Sequence, residues 1–532
     1  MKRLTSGLAG AAVLIAALTV LARLAGFGRT VVFSQTVTNS CLSDVYFTAN
    51  QIPNIVFEIV AGGALASLVV PVLSVPAERG ESETVRRTSS AMLTWVLLLL
   101  TPLSLAAALA AGPIMSALTH GGLGGCDRTA YLALGTRMLV VFAPQIVLYG
   151  LAVVLYGVLQ AHRRFTGPAL APLVSSLVVI GAYLAYVPLM DGRDPDDLAG
   201  VPSSAELMLS AGTTLGVVAL VVVALVAARP LGLRLRPTLR FPEGVAARVR
   251  RLALAGLATV VAQQLAMLTV LIFKGYGTAG ALTDYNFAWA VFLLPWAILA
   301  VPIATSAFQA LSARSEDADP GPFDAIVAGT TRAVVLVSCA GAAVLAAVAV
   351  PVADFFDHGT DAHPEVLSRA ILTFAPGLLG YGLVAHLGRA LFACGRGRAS
   401  AQATVTGWLV VLVADVVLAL TLPEAWVVAG FGIGNSLGMT VAGVLLLTAL
   451  LRARGRAALT GLPRALSAGL LGGATGAAAG YTVAVAFGTG DQLHNITSGL
   501  AAAVAAAFLF LVLAALLDRE DLRAALRRAP AA

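Results

Sequence analysis

The sequence predicts an all-α integral membrane protein with about fourteen transmembrane helices, in two blocks of six followed by two more. Three observations support this fold class. Of the 532 residues, 59% are apolar and only 11% are charged, and the mean hydropathy is +0.90. A soluble protein carries about 25% charged residues. The apolar residues form runs long enough to cross a bilayer, and the basic residues alternate between the two sides that these runs define.

The amino terminus has the layout of a secretory signal, with Lys2 and Arg3 before an apolar run over 8–21. No convincing cleavage site follows this run, which continues to Phe33. We therefore expect a first membrane helix that is retained.

The spans follow from a window of about 20 apolar residues per crossing. The first block is predicted over 8–34, 47–75, 90–118, 129–159, 166–190 and 204–228. The second block is predicted over 252–275, 281–311, 324–355, 365–394, 400–422 and 426–451, and two more spans over 465–487 and 494–517. The predicted domains are an N-lobe over 1–228, a basic cytosolic connector over 229–251, a C-lobe over 252–452, and two helices with a basic cytosolic tail over 453–532.

The placement of basic residues tests this count independently, because short cytosolic loops retain Lys and Arg. With the amino terminus inside, 25 of the 34 basic residues fall on inner segments and 4 on outer segments. If one helix had been omitted or added in error, the basic loops that follow it in the sequence would fall on the outer side. We expect an even number of crossings in the bacterial cytoplasmic membrane, with both termini in the cytosol.

Five arginines lie within predicted spans, where a guanidinium costs about 2.5–3.5 kcal/mol and normally faces water or a partner. Arg23 lies 15 residues beyond Leu8, about 22 Å along a helix, too far to reach the inner face. Arg29 lies about 9 Å further, where it either lines the same cavity or extends to the outer headgroups. We expect both to line a broad cationic cavity. For the other three, snorkelling or a structural ion pair is favoured: Arg137, Arg332 and Arg389.

The second span contains polar residues where lipid-facing residues would be apolar. It reads NQIPNIVFE over 50–58. Pro53 is expected to break or kink the helix beside a cavity. Asn54 and Glu58 follow on the same segment, and a carboxylate at this depth has to be paired, hydrated or protonated.

The second block contains one isolated acid, Asp415, flanked by valines and an alanine. It could coordinate a monovalent cation or carry a proton, together with Asn435 or with Gln263 and Gln264. The alternative is a protonated or hydrogen-bonded structural aspartate.

Enzymatic chemistry is not indicated. The chain has no G-x-x-x-x-G-K-[ST] phosphate loop, no H-E-x-x-H zinc motif and no G-x-S-x-G nucleophile motif. Its 4 cysteines and 6 histidines form no metal-binding pattern. We predict a chain that is not an enzyme, with no cofactor, metal site or nucleic-acid partner. Cys41 and Cys126 fall on the same predicted side, which leaves both a disulfide and two free thiols open.

Several motifs carry a family resemblance. ARLAGFGR at 22–29 is similar to the pattern S-R-x-x-G-x-x-R, and SDVYFTA at 43–49 with IPN at 52–54 is similar to T-D-A-F-F-V-A and I-P-N. Shorter matches are VPVL at 70–73, LQA at 159–161, RRF at 163–165, PALAP at 168–172 and FACGR at 392–396. These motifs resemble those of the MurJ (MviN) lipid II flippases, members of the multidrug, oligosaccharidyl-lipid and polysaccharide exporter superfamily.

The resemblance implies two lobes in a V around a cationic central cavity. The substrate would be lipid II, the undecaprenyl diphosphate-linked disaccharide-pentapeptide. By the same resemblance Arg23 and Arg29 attract the diphosphate, and Asp44 lies near the outer gate. We assign Asn54 and Glu58 to the same substrate site.

The sequence also departs from the family pattern. Thr30 replaces an acidic residue, Phe57–Glu58 replaces a basic pair, and Gly62–Gly63 replaces E-G. The helix 8 arginine of many relatives falls in the Ala-Trp-Ala segment at 288–290. The implied cavity is therefore less cationic than is usual in the family, whose sodium site in the second lobe maps loosely onto Asp415.

We predict an alternating-access flippase that moves lipid II from the inner to the outer leaflet. The membrane potential favours outward movement of an anion by about 2.3 kcal/mol per charge per 100 mV. The alternatives are a flippase for another polyprenyl-linked glycan, a cation-coupled exporter of the same superfamily, and a non-transporting scaffold for cell-wall synthesis proteins. Membrane lipids and other cell-wall synthesis proteins are the remaining expected partners.

Overall fold

The computed structural model describes residues 2–60, 69–119, 122–232, 236–241, 245–315, 319–356, 363–488 and 490–519, and every regular element within them is helical. The chain divides into two compact units, Met1–Gln264 and Leu265–Ala532. The predicted all-α fold class is confirmed. The predicted domain boundaries, with a connector over 229–251, stay a prediction.

The first unit contains nine complete helices among its described residues. They are α1 Lys2–Thr36, α2 Cys41–Phe57, α3 Val69–Glu78, α4 Ser82–Leu109, α5 Ala111–Ala117, α6 Arg128–Phe142, α7 Gln145–Ala161, α8 Thr166–Met190 and α9 Ser203–Ala228, and α10 Val245–Phe273 runs across the division. Local signals set their ends. Ser40 and Ser43 form a reciprocal capping box at the start of α2, and Asp127 accepts from two backbone amides at the start of α6.

The second unit contains ten further helices in its described part. They are α11 Ala281–Pro295, α12 Val301–Ala313, α13 Gly321–Ala347, α14 Ala349–Phe356, α15 Pro364–Phe374, α16 Gly377–Ala393, α17 Gly397–Thr421, α18 Val427–Arg454, α19 Leu462–Phe487 and α20 Gln492–Leu517. A π-helical turn over Trp296–Ala300 joins α11 and α12 into one continuous helix.

Length and composition confirm thirteen of the predicted spans. Twelve described helices or continuous helix pairs are long and apolar enough to cross a membrane, and the pair α15 and α16, bent by 44°, gives a thirteenth. The remaining predicted span, 47–75, includes residues 61–68, which lie outside the described residues. Described helices on either side of this gap, α2 and α3, are consistent with it.

The fourth span of each block carries the motif R-x-x-x-x-F-A-P, at 137–144 and 369–376. The proline lacks a backbone N–H, so the helix breaks there, between α6 and α7 and between α15 and α16. In the first motif the arginine forms a 2.7 Å salt bridge with Glu206 of α9. In the second motif the arginine lies 4.9 Å from the ring centroid of Trp426, just before α18. The structural ion pair predicted for Arg137 is therefore confirmed.

Small residues allow the longest helices to pack closely. Gly438 of α18 faces the backbone of Gly407 on α17, and Gly212 of α9 faces Ala182 of α8. A side chain at either glycine would collide with the opposite helix. Such contacts replace the hydrophobic effect as the source of helix association in a bilayer.

The described part of the predicted connector lies against α4. The backbone amides of Arg236 and Thr238 donate to the hydroxyls of Ser90 and Thr94, at 3.2 and 3.1 Å. The indole of Trp95 donates to the carbonyl of residue 239 at 3.2 Å. This segment is therefore held by α4 before α10 begins.

Candidate functional site

Arg23 lies on a largely exposed stretch of α1. Its side chain is exposed, and so are the adjacent Val20 and Leu24, which are 58% and 62% exposed. Within the described part of the chain it makes no hydrogen bond and no ion pair. The guanidinium is therefore available to an external anion. The substrate-binding role of Arg23 stays a prediction.

The other predicted substrate residues converge on a tyrosine of α7. The hydroxyl of Tyr149 donates to Oδ1 of Asn54 at 3.4 Å, and the charges of Arg29 and Glu58 both act on this hydroxyl. The ring of Phe57 lies 4.3 Å from the ring of Tyr149, centroid to centroid. Asn54 therefore contacts Tyr149 directly, whereas Arg29 and Glu58 act on it through their charges.

Arg29 and Glu58 do not neutralise each other. Both side chains are exposed, and no salt bridge joins them to each other or to another residue that the structure describes. Two opposite charges therefore act on the Tyr149 hydroxyl, and neither is taken up by a salt bridge within the described part of the chain. Such a site can take an anionic group at Arg29 and a hydroxyl or amide donor at Glu58.

Sequence reasoning missed Tyr149. Its helix is otherwise almost entirely aliphatic, with Tyr149 and Tyr156 spaced by two turns. A hydroxyl in such a helix is a signal for a polar neighbour, because it has to find a partner when it is removed from water. The sequence gives no indication that this neighbour lies on α2.

Of the two effects expected of Pro53, a break or a kink, the break does not occur. Helix α2 continues through this residue to Phe57, and the backbone then widens into a π-helical turn over residues 58–60. Pro53 is buried within the unit, so packing holds the helix despite the missing N–H. The irregular turn therefore begins at Glu58. The predicted small-residue segment with Gly62–Gly63 lies outside the described residues.

Asp44, the predicted gate residue, lies in the first turn of α2 and is 6% exposed. The hydroxyl of Tyr131 on α6 donates to its Oδ2 at 2.7 Å. The hydroxyl of Thr48, one turn along α2, donates to the carbonyl of Asp44 at 2.7 Å. The carboxylate is thus fixed between two helices, while its gate role stays a prediction.

A disulfide closes the same end of α2. Cys41 and Cys126 are bridged, with their Cα atoms 5.8 Å apart, which decides between the two alternatives that the sequence left open. The backbone amide of Cys41 donates to Oδ1 of Asp196 at 2.6 Å. Three segments far apart in sequence therefore meet at the start of α2.

The candidate ion residues lie on α17 and α18 and are fully buried. Asp415 is 1% exposed and Asn435 is 3% exposed. Oδ1 of Asp415 and both polar atoms of the Asn435 amide have no hydrogen-bond partner among the described residues. The carboxylate of Asp415 abuts Gly434, and the amide of Asn435 faces Gly377. Unsatisfied buried oxygens are suitable ligands for a small cation.

Residues 33–515 match the family described as "Lipid II flippase MurJ". The lipid II flippase MurJ of Burkholderia cenocepacia is 27% identical over 383 residues, which are 71% of this chain and 72% of that protein. The probable lipid II flippase MurJ of Vibrio cholerae is 22% identical over 413 residues, 76% of each chain.

Solved structures show the same fold. A lipid II flippase MurJ in an inward closed conformation has a TM-score of 0.73 and 16% identity, and the match covers 96% of this chain and 99% of that chain. An inward-facing multidrug resistance transporter of the MATE family, from the MOP superfamily, has a TM-score of 0.63 and 15% identity, with 82% and 94% covered. Because the family match spans most of the sequence, the chain belongs to the MurJ family of lipid II flippases.

Proposed function

We propose that this chain carries lipid II from the inner to the outer leaflet of the bacterial cytoplasmic membrane by alternating access. The observation that supports this most directly is that Tyr149 bonds Asn54 and feels the charges of Arg29 and Glu58, while Arg23, on the same helix as Arg29, has no partner among the described residues. An anionic headgroup that is linked to sugars and a peptide needs a cationic side chain for the anion, and it needs hydrogen-bonding side chains for the sugars and the peptide. The polyprenyl tail remains in lipid during the transfer.

The chemistry of the site fits a diphosphate. A guanidinium binds phosphate oxygens through paired, charge-assisted hydrogen bonds, which are stronger than bonds between neutral groups. Arg29 and Arg23 are both exposed on α1 and each offers such a fork. Glu58 and the Asn54 carbonyl accept hydrogen bonds, which suits sugar hydroxyls and peptide amides.

The direction of transport follows from the membrane potential. An inside-negative potential favours outward movement of an anion by about 2.3 kcal/mol per charge per 100 mV. We propose in addition that a monovalent cation or a proton at Asp415 and Asn435 couples to the cycle. The unsatisfied buried oxygens of both residues support this assignment.

Complementation tests the proposal. In a strain depleted of its own flippase, wild type is expected to restore growth, and Arg29→Ala is expected to fail at equal protein level. Arg163→Ala is the matched control, because Arg163 is an exposed arginine in the turn after α7. A leaflet assay should show lipid II retained inside in cells with Arg29→Ala. Normal growth and normal lipid II distribution with Arg29→Ala would contradict the proposal.

One further measurement separates the alternatives. Mass spectrometry of lipid co-purified with the protein is expected to identify lipid II. A different polyprenyl-linked glycan or a small cationic compound would indicate the two other transport functions. A non-transporting scaffold predicts that Arg29→Ala is silent and that changes in the cytosolic connector over 229–251 or in the loop over 452–464 impair growth.

A further inference from the structure

The second unit contains a cavity away from Asp415 and Asn435. It has a volume of about 320 Å³ and is formed by α12, α16 and the first turn of α17. It is shallow and largely open on one side, so a molecule bound there would remain partly exposed. The charge pattern of the sequence predicts that this end of α16 faces the cytosol.

Two polar side chains face this cavity, and both retain hydrogen-bonding capacity. Nη1 of the half-buried Arg389 donates to the carbonyl of Ala385 at 2.6 Å, which orients the guanidinium. Its Nη2 and Nε, and the hydroxyl of Ser400, donate to no residue that the structure describes. The hydroxyl of Ser400 lies against Gly388, one position before the arginine. The two groups therefore converge on one side of the cavity.

The remaining walls are apolar. They are provided by Phe308, Val384 and Phe392, and Phe392 is 68% exposed. None of the lining residues is acidic. The turn between α16 and α17 adds two exposed cations, Arg396 and Arg398.

The combination of a guanidinium and a hydroxyl with apolar walls restricts the chemistry of the ligand. A small hydrophilic anion would leave the two phenylalanine rings uncovered, and a purely apolar molecule would leave the guanidinium without a partner. A phosphate ester that carries hydrocarbon chains satisfies both. Basic residues near the inner membrane surface also attract anionic lipids.

We propose that this cavity binds the phosphate of an anionic membrane phospholipid, with Arg389 and Ser400 on the phosphate and Phe308 and Phe392 along the first carbons of the chains. The cavity is lined by none of the residues assigned to lipid II or to the cation, so the two kinds of binding can be tested separately. A chain that moves no lipid II would still bind a phospholipid here.

Native mass spectrometry of the full-length protein in detergent, titrated with phosphatidylglycerol, tests the proposal. We expect Arg389→Ala to weaken binding about tenfold, the equivalent of one charge-assisted hydrogen bond. Ser400→Ala is expected to weaken it about threefold. Arg389→Lys keeps the charge and is expected to bind with intermediate affinity. Arg456→Ala removes an exposed arginine of the second unit that does not line the cavity and does not belong to the turn beside it, and its binding is expected to be unchanged.

The melting temperature without lipid confirms that each variant is folded, and Ser400→Ala provides a test that does not depend on the stability of Arg389→Ala. Equal binding by wild type, Arg389→Ala and Ser400→Ala would overturn the proposal. Three ligand outcomes would also overturn it. They are equal binding of phosphatidylcholine, displacement by inorganic phosphate at equal concentration, and binding of undecaprenyl phosphate without phosphatidylglycerol.

Discussion

The hydroxyl of Tyr131 donates a 2.7 Å hydrogen bond to the carboxylate of Asp44, and both residues are buried. This contact joins α6 to the first turn of α2. We expect Tyr131→Phe to lower the free energy of unfolding by about 1–3 kcal/mol, because a buried carboxylate loses a donor. Thermal unfolding in detergent measures this change. Tyr481→Phe, at an exposed tyrosine of α19, is the control and should unfold as wild type does.

Tyr149 links three of the predicted substrate residues. Replacement by phenylalanine keeps the ring contact with Phe57 and removes the hydroxyl. We expect lipid II binding to weaken about three- to tenfold, the equivalent of one hydrogen bond of about 0.5–1.5 kcal/mol. Tyr156→Phe is the matched control, because this hydroxyl on the same helix is buried without a hydrogen-bond partner in the described structure. Equal loss of binding in both variants would remove Tyr149 from the site.

The disulfide between Cys41 and Cys126 closes a sequence separation of 85 residues. We expect its reduction, or the double replacement by serine, to lower the free energy of unfolding by about 2–4 kcal/mol. Unfolding with and without a reductant measures the difference. Replacing the free Cys394 by serine should preserve the response to the reductant. An alkylation pattern with four reactive thiols in the unreduced, unfolded protein would contradict the bridge.

The unsatisfied oxygens at Asp415 and Asn435 predict stabilisation by a monovalent cation. At a sodium concentration of 100 times Kd, the free energy of unfolding should rise by about 2.7 kcal/mol. Asp415→Asn should abolish this rise. Glu424→Gln, at an exposed acid before α18, should retain it. Choline, at the same concentration as sodium, is the control for ionic strength. If sodium raised the free energy of unfolding equally in wild type and Asp415→Asn, Asp415 would not be a sodium ligand.

The spans could be predicted from the sequence because a bilayer imposes a length and an apolar composition on each crossing. Some boundaries agree closely, as for α8, which covers the predicted 166–190, whereas α4 begins eight residues before the predicted 90–118. The ion pair of Arg137 is one of the two interpretations, snorkelling or an ion pair, that follow from the cost of an unpaired charge in lipid. These features depend on the solvent around the chain.

Pairing between helices could not be predicted in the same way. Tyr149 lies next to Asn54 because α7 packs beside α2, and nothing in either segment encodes that neighbour. The helix through Pro53 persists because surrounding packing overrides the local effect of proline. The disulfide likewise depends on a distance between loops that only the fold supplies.

The amino-terminal end of α2 is tied at three points, by the disulfide, by Asp196 and by Tyr131. The opposite end leads into the widened turn that starts at Glu58. Any bending of α2 would therefore pivot about an anchor at its first turn. Asp44 would keep its position relative to α6, whereas Glu58, at the far end of the lever, would move.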